Sequence, residues 1–245
     1  PARECSLTKE MRIEEGTFAD YKKLSVFHYR TSRCPPPRKM FALKRKDELC
    51  GVIVHSYPSP ITFGRSKVWK GDFYKLQREV STISRVVVHP KYRTIGLGVK
   101  LVKETLAKAG TSCVETLAVM ARYNPFFERA EMKKIMENTP NPNVLKAIEQ
   151  LHTLGFNPVM FGSVNYNERN IRLIGKDKVI HVLEELSRKG LAPRKRLLSL
   201  RGVYPKHEEF VQKLRRLDEK GLAEMLKRLS FLAQTKVYLF WRRDR

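Results

Sequence analysis

The stretch Arg93-Thr94-Ile95-Gly96-Leu97-Gly98 joins two segments of different character. Before it runs Val86-Val87-Val88-His89-Pro90, whose β-branched residues read as a buried strand closed by a proline. After it, "VKLVKETLAKAG" places apolar residues at helical spacing. A glycine-bearing turn between a buried strand and a helix suits a phosphate. The first N–H groups of a helix lack intrahelical partners, and the helix dipole adds partial positive charge there. Glycine lets the backbone approach an anion. The turn lacks the GK[ST] ending of a nucleoside-triphosphate loop and the GxGxxG of a dinucleotide fold, so neither of those ligands is implied.

Other residues with chemical potential are more scattered. Cys5, Cys34, Cys50 and Cys113 form no CxxC pair, which argues against a zinc site and for reduced thiols in a cytoplasmic protein. His55, His89 and His152 belong to no motif and read as structural. Residues 58–80 interleave Phe63, Trp69, Phe73 and Tyr74 with Arg65, Lys67, Lys70, Lys75 and Arg78. Such a loop can stack on unpaired bases and neutralise phosphates. Equally, its aromatics can cap a core while its cations face water.

The elements that must position these residues are legible in outline. "TFADYKKLSVFHY" (17–29) reads as a helix with Thr17 as N-cap, and "CPPPR" (34–38) must be extended or turning. "KMFAL" and "CGVIVHSY" flank "KRKDE" as a hairpin, and 58–80 is expected to be an irregular loop. "TISRVVV" is a strand, 99–109 a helix and "CVETLAVM" a strand. "NPFFERAEMKKIMEN" is expected to be a whole or broken helix, and "NVLKAIEQLHTLGF" an amphipathic one. After about residue 165 come short amphipathic helices with basic outer faces, then "KVYLFWRR" as a strand candidate. The division implied is 1–165 and a basic, mainly helical extension over 166–245.

The chain has 245 residues and a net charge of +24. A field of that size implies a polyanionic partner, above all nucleic acid, unless it reflects a salty or hot cellular milieu. No apolar run reaches the roughly 18 residues of a membrane span. No secretory signal is visible, and the absence of an initial Met points to processing or to a cut from a longer chain.

The order helix, hairpin, strand, glycine turn, helix, strand, helix resembles the GCN5-related N-acetyltransferase superfamily over about residues 10–135. The turn at 93–98 fits that superfamily's R/Q-x-x-G-x-G/A pattern, with "VVVHPKYR" as lead-in. The resemblance implies an α/β fold with a mixed, mostly antiparallel central sheet flanked by helices and splayed at the acyl-coenzyme A site. It implies acetyl-CoA or another acyl-CoA as cofactor, with the pyrophosphate cradled by Arg93, Thr94, Ile95, Gly96, Leu97 and Gly98. Val86, Val87 and Val88 would then hold the pantetheine arm and thioester carbonyl, with Asn124 and Phe127 also on the cofactor. The family's second motif carries a Tyr that protonates the leaving thiolate. Here that position is Phe127, a phenyl ring with no proton to give, and Tyr123 is the nearest phenol.

A narrower resemblance rests on "Phe27-His28-Tyr29-Arg30", the proline loop, the Gly-Val-Ile hairpin and "Ile83-Ser84-Arg85". It is to the branch with the phage Mom DNA-modification protein and the archaeal acetyltransferase-like domains fused to ABC-type ATPases, and "ARYNPFFE" is closest to the latter. It implies His28 and Tyr29 at the acceptor mouth, Ser84 and Arg85 beside the acyl group, and a fused or associated ABC-type ATPase. A metal on His28 and Tyr29 would be a sparse ligand set, and none is expected. Taken together, these readings favour an N-acyltransferase acting on nucleic acid, RNA or tRNA before DNA. The alternatives are a protein N-acetyltransferase and a non-catalytic nucleic-acid or ribonucleoprotein module.

Overall fold

We describe the chain from a computed structural model, over residues 6–28, 34–119, 121, 124–189, 191–198 and 205–243. It divides into two compact units, Pro1–Asn138 with Lys236–Arg245, and Thr139–Thr235. The boundary therefore falls at 138/139 rather than at 165/166, and the last strand returns to the first unit. In chain order the first unit has α1 (Ser6–Lys9), β1 (Met11–Glu15), α2 (Phe18–Ser25), β2 (Pro37–Arg45) and β3 (Glu48–Ser56). There follow α3 (Phe73–Glu79), β4 (Val80–Val88), α4 (Leu97–Leu106), β5 (Cys113–Ala118), α5 (Phe126–Arg129) and β6 (Lys133–Asn138). The second unit supplies α6 (Pro142–Thr153), α7 (Val164–Ile174), α8 (Lys176–Arg188), α9 (Leu191–Leu197), α10 (His207–Arg216) and α11 (Glu219–Leu232), before β7 (Lys236–Arg242).

Among the described residues the sheet has seven strands in the order β1-β2-β3-β4-β5-β7-β6. Every neighbouring pair is antiparallel except β4 and β5. That parallel pair is short: it runs only from Val80↔Cys113 to Thr82↔Glu115. On the other side, β4 pairs with β3 through a register shift, Val54 facing Arg85 and His55 facing Ile83, which leaves Ser84 as an extra residue. A bulge of this kind bends its strand. The Ser84 hydroxyl holds the bend, bonded to Ser56 Oγ at 2.7 Å and donating to the Val54 carbonyl at 3.3 Å. Beyond it β4 and β5 diverge, and β5 pairs along its whole length with β7 instead.

Helix α4 covers one sheet face. Leu97, Leu101, Val102 and Leu106 are buried in one cluster with Phe41, Leu43, Ile53, Val114 and Leu239. Each such side chain is worth about 1.5–3 kcal/mol when fully buried, so the helix, and with it the N-terminus that meets the glycine turn, is fixed. Tyr21 and Leu24 of α2 pack on Met40, Val52, Val54 and Val87. Thr17 and Asp20 close a capping box at the start of α2.

Two expectations change. Residues 124–138 are not a continuous helix. Helix α5 is a single turn, Glu131 takes a left-handed φ of 73° that ends it, and β6 follows with alternating exposure. Residues 58–80 are not irregular throughout, since Asp72 caps α3 by accepting from the Lys75 N–H at 2.7 Å. The second unit has its own core, including Leu151, Phe156, Phe161, Ile171, Leu183, Phe210 and Leu226. Buried Asn167 donates to the carbonyls of Phe161 (2.8 Å) and Ala223 (3.2 Å), tying α7 to α11. No helix of the described residues is long and apolar enough to cross a membrane.

Candidate functional site

The divergence of β4 from β5 opens the sheet beside the start of α4. Gly96 is the residue before that helix, at φ 89°, a left-handed conformation that L side chains rarely adopt. A Cβ on Gly96 would meet nothing within 4 Å, so backbone conformation, not crowding, explains the glycine. Thr94, at φ 73°, is left-handed too, a strain that a non-glycine residue accepts only where its surroundings impose it. No side chain caps α4, whereas Thr17, Asp72, Asn141, Ser163 and Asp218 cap α2, α3, α6, α7 and α11. The first N–H groups of α4 therefore point into the opening without a side-chain partner.

Two joined cavities occupy this opening. The larger, about 500 Å³, runs from Val86–Val88 of β4 to the turn, and is lined there by Arg93, Thr94, Gly96, Leu97 and Gly98. The smaller, about 190 Å³, lies deeper between the parted strands and is lined by Ser84, Arg85 and Thr116–Val119. His28, Val86 and Phe126 border both. The two cavities adjoin through these three residues and extend from the glycine turn at the start of α4 to the parted strands β4 and β5.

Most of the expected residues meet here. His28, Ser84 and Arg85 border the deep cavity, and Val86, Val87, Val88, Arg93, Thr94, Gly96, Leu97, Gly98 and Asn124 the larger one. Ile95 does not: its side chain packs against the α4 core. Phe127 borders the deep cavity but is only 6% exposed, its ring 4.1 Å from that of Phe126. It is a packing residue with no proton to give. Tyr29 and Tyr123 lie outside the described residues.

Arg85 forms no ion pair with Glu79 or Glu115, the carboxylates nearest its strand register. Its Nη1 donates to the Ser84 carbonyl at 2.7 Å. Glu115 is taken by Arg65, and Glu79 by the Trp69 indole N–H at 3.0 Å. The Cys34 thiol is pushed above its ordinary range by burial, against the opposing field of Arg85.

Sequence reasoning missed Phe126 and Arg129, which also line the larger cavity. Arg129 adds a second arginine, with Arg93, to the lining of the larger cavity. Only its place one turn after Pro125 could have signalled it. No sequence signal points to Phe126, whose ring carbon would lie 3.4 Å from a Cβ placed on Gly98.

The 58–80 loop is mostly structural. Trp69 is buried, Phe63 packs on the same cluster, and Arg65 is 5% exposed. Phe73 and Tyr74 remain at the surface, 52% and 80% exposed, their rings edge to face at 6.2 Å. Of the three histidines outside any motif, His55 is fully buried, and His89 accepts from the Lys91 N–H at 3.3 Å.

Comparison with known proteins agrees with this geometry. The model of the acetyltransferase (GNAT) family matches residues 7–129. No curated protein matches. Among solved structures, a Bacillus subtilis acetyltransferase in complex with CoA is similar at 16% identity, covering 53% of this chain and 81% of that one, with a TM-score of 0.38. Arabidopsis thaliana NAA60 in complex with acetyl-CoA is similar at 14% identity over 52% of this chain and 88% of that one, TM-score 0.41. Spermidine/spermine N-acetyltransferase SpeG from Vibrio cholerae is similar at 6% identity over 56% and 85%, TM-score 0.41. The strand, the glycine turn and the helix that build the channel all fall within the matched 7–129 segment, and the chain belongs to the acetyltransferase (GNAT) family.

Proposed function

We propose that the channel takes acetyl-CoA, or another acyl-CoA, and that the acyl group passes to an amine carried by nucleic acid, RNA before DNA. The observation that carries the cofactor assignment is the uncapped start of α4. It opens beside left-handed Gly96 onto a channel that holds Arg93 and Arg129. The residues fit the group. The N–H groups of the first α4 turn and the two guanidinium groups suit a pyrophosphate. The Val86–Val88 edge that β5 leaves unpaired, where the Val88 carbonyl accepts from Arg93 Nε at 3.3 Å, suits the amide-bearing arm, and Asn124 supplies a further hydrogen-bonding side chain. The bound thioester supplies an activated acyl group.

The chain's residues have three tasks in the reaction. Backbone N–H groups of β4 beyond the fork would stabilise the negative charge that develops on an acyl oxygen held there. The deep cavity must keep the attacking amine neutral, and the Arg85 guanidinium favours that form by opposing a second positive charge. A proton must reach the departing sulfur. Phe127 cannot give it, so this role goes to Tyr123 or to water.

Support for the acceptor class comes from the charge at the deep end. Its lining includes Arg85 and His28 but no carboxylate among the described residues. A polycationic acceptor such as a polyamine would meet repulsion there. A polyanion would meet the chain's net charge of +24. The likeness of the His28–Tyr29 segment and the Ser84–Arg85 strand to the Mom-like branch points the same way. Transfer of radiolabelled acetyl from acetyl-CoA to total RNA, DNA and protein tests this reading. Label in RNA is the expected result. Label in protein alone would replace it with an acceptor amine on an acidic or nucleic-acid-bound protein.

A further inference from the structure

We infer that Arg65 and Glu115 form a positioning pair that fixes the fork where β4 and β5 part, and so keeps the β4 edge open for the arm of the acyl donor. The inference rests on the acyl-CoA reading of the channel.

Glu115 sits at the last paired register of the two strands, opposite Thr82. It is fully buried, and each of its oxygens accepts two hydrogen bonds. Oε1 receives Arg65 Nη2 at 2.6 Å and Thr82 Oγ1 at 2.9 Å. Oε2 receives Arg65 Nε at 2.9 Å and the Tyr238 hydroxyl at 2.8 Å. Burial, with Glu115 beside it, raises the Tyr238 phenol above its ordinary range, so this donor keeps its proton. Arg65 spends its other groups on the segment that carries it, donating to the Pro60 carbonyl at 3.0 Å and to Thr62 Oγ1 at 2.6 Å. One carboxylate thus ties together β4, β5, β7 and the 58–70 segment.

The next residue completes the fork. Thr116 Oγ1 donates to the Ile83 carbonyl at 3.1 Å, so β5 contacts β4 there through a side chain and not through the backbone ladder. One residue further on, Ser84 is held by β3. Beyond this point β4 has no ladder partner in β5; on β4 the Val88 carbonyl accepts from Arg93 Nε at 3.3 Å.

Stability alone does not account for a buried ion pair here. Apolar residues of similar volume usually hold such a place as well or better, because two charges must be desolvated. A bidentate guanidinium–carboxylate pair differs from them in direction: it fixes where the two strands sit laterally.

The test uses the full chain and two probes: coenzyme A, and its adenosine bisphosphate fragment, which lacks the arm. Affinities are measured by calorimetry for wild type, Glu115→Gln, and the apolar double variant Arg65→Met with Glu115→Leu. The double variant is expected to melt cooperatively near the wild-type temperature. In both variants coenzyme A affinity should fall roughly tenfold or more, the loss of one or two arm hydrogen bonds. The fragment should bind as it does to wild type, because it reports only the turn. Unchanged coenzyme A affinity in the folded double variant overturns the inference, and so does a parallel loss for both probes. If neither probe binds wild type, the channel reading itself fails, and this inference fails with it.

Discussion

At the scale of single residues, the candidate site combines a contiguous turn with contacts between distant positions. The turn from Arg93 to Gly98 is contiguous, so its glycine pattern is legible in the sequence. Arg65 and Glu115 are 50 residues apart, and nothing next to Arg65 in the chain sets this buried residue apart from the other cations of the 58–80 loop. His55 shows a second such contact. Its Nε2 lies 3.1 Å from Thr105 Oγ1, while Nδ1 is buried without a partner. Thr105 donates onward to the Leu101 carbonyl, so its oxygen is free to accept from a neutral His55 with the proton on Nε2. Burial first, then Lys39, lowers the pKa from 6.5 to about 4. The unfolded chain therefore binds the proton more readily. The stability due to neutral His55 is complete above pH 6.5 and is lost as pH falls toward 4. Between pH 7 and 5 the loss should be about 2 kcal/mol. Urea unfolding at the two pH values should show this slope in wild type and a shallower one in His55→Leu; identical slopes would contradict it. Tyr123→Phe should lower turnover by roughly 10²- to 10⁴-fold if the phenol protonates the sulfur, with coenzyme A affinity unchanged. Full turnover would leave that proton to water.

At the scale of elements, the strand–turn–helix unit and the β2–β3 hairpin were legible because alternating and helical apolar periods mark them clearly. Strand β6 was not. "KKIMEN" follows directly on "FFERAEM" with no glycine or proline between them, and the left-handed turn falls on Glu131, a residue type that gives no warning. Strand β7 owes its importance to topology. It lies between β5 and β6, inside the sheet, although it is the last element of the chain. A truncation that removes everything after residue 170 would therefore strip an interior strand and should unfold the first unit. An internal deletion is the correct cut. Asn138 and Lys236 are paired in the β6–β7 ladder, so residues 139–235 can be replaced by an Asn-Gly hairpin turn. The shortened chain should melt cooperatively and keep its coenzyme A affinity. Failure to fold would show that the second unit is required by the first.

At the scale of the whole molecule, charge is the feature that composition displays and sequence position disguises. The helices after about residue 165 carry basic outer faces. Yet residues 139–235 hold 18 Lys/Arg against 10 Asp/Glu, while the rest of the chain holds 31 against 15. Two-thirds of the excess belongs to the unit that contains the channel. If the partner is a polyanion, RNA affinity should fall with salt by on the order of 0.7–0.9 log units per log unit of salt for each phosphate neutralised. The hairpin-linked deletion should keep more than half of that slope. A flat salt dependence in the full chain would assign the charge to the cellular milieu and bring the protein-acceptor reading forward.

All these readings rest on one claim, that the opening beside α4 is an acyl-CoA site. The most direct test is calorimetric titration of coenzyme A into the full chain and into Gly96→Glu. That substitution places an L side chain at φ 89° and a carboxylate at the anion end. Its cost to the fold is roughly 1–2 kcal/mol, small enough to leave a cooperative melt. Saturable binding of one coenzyme A per chain is expected in wild type and none in the folded variant. No binding to wild type, or equal affinity in a folded Gly96→Glu protein, would contradict it.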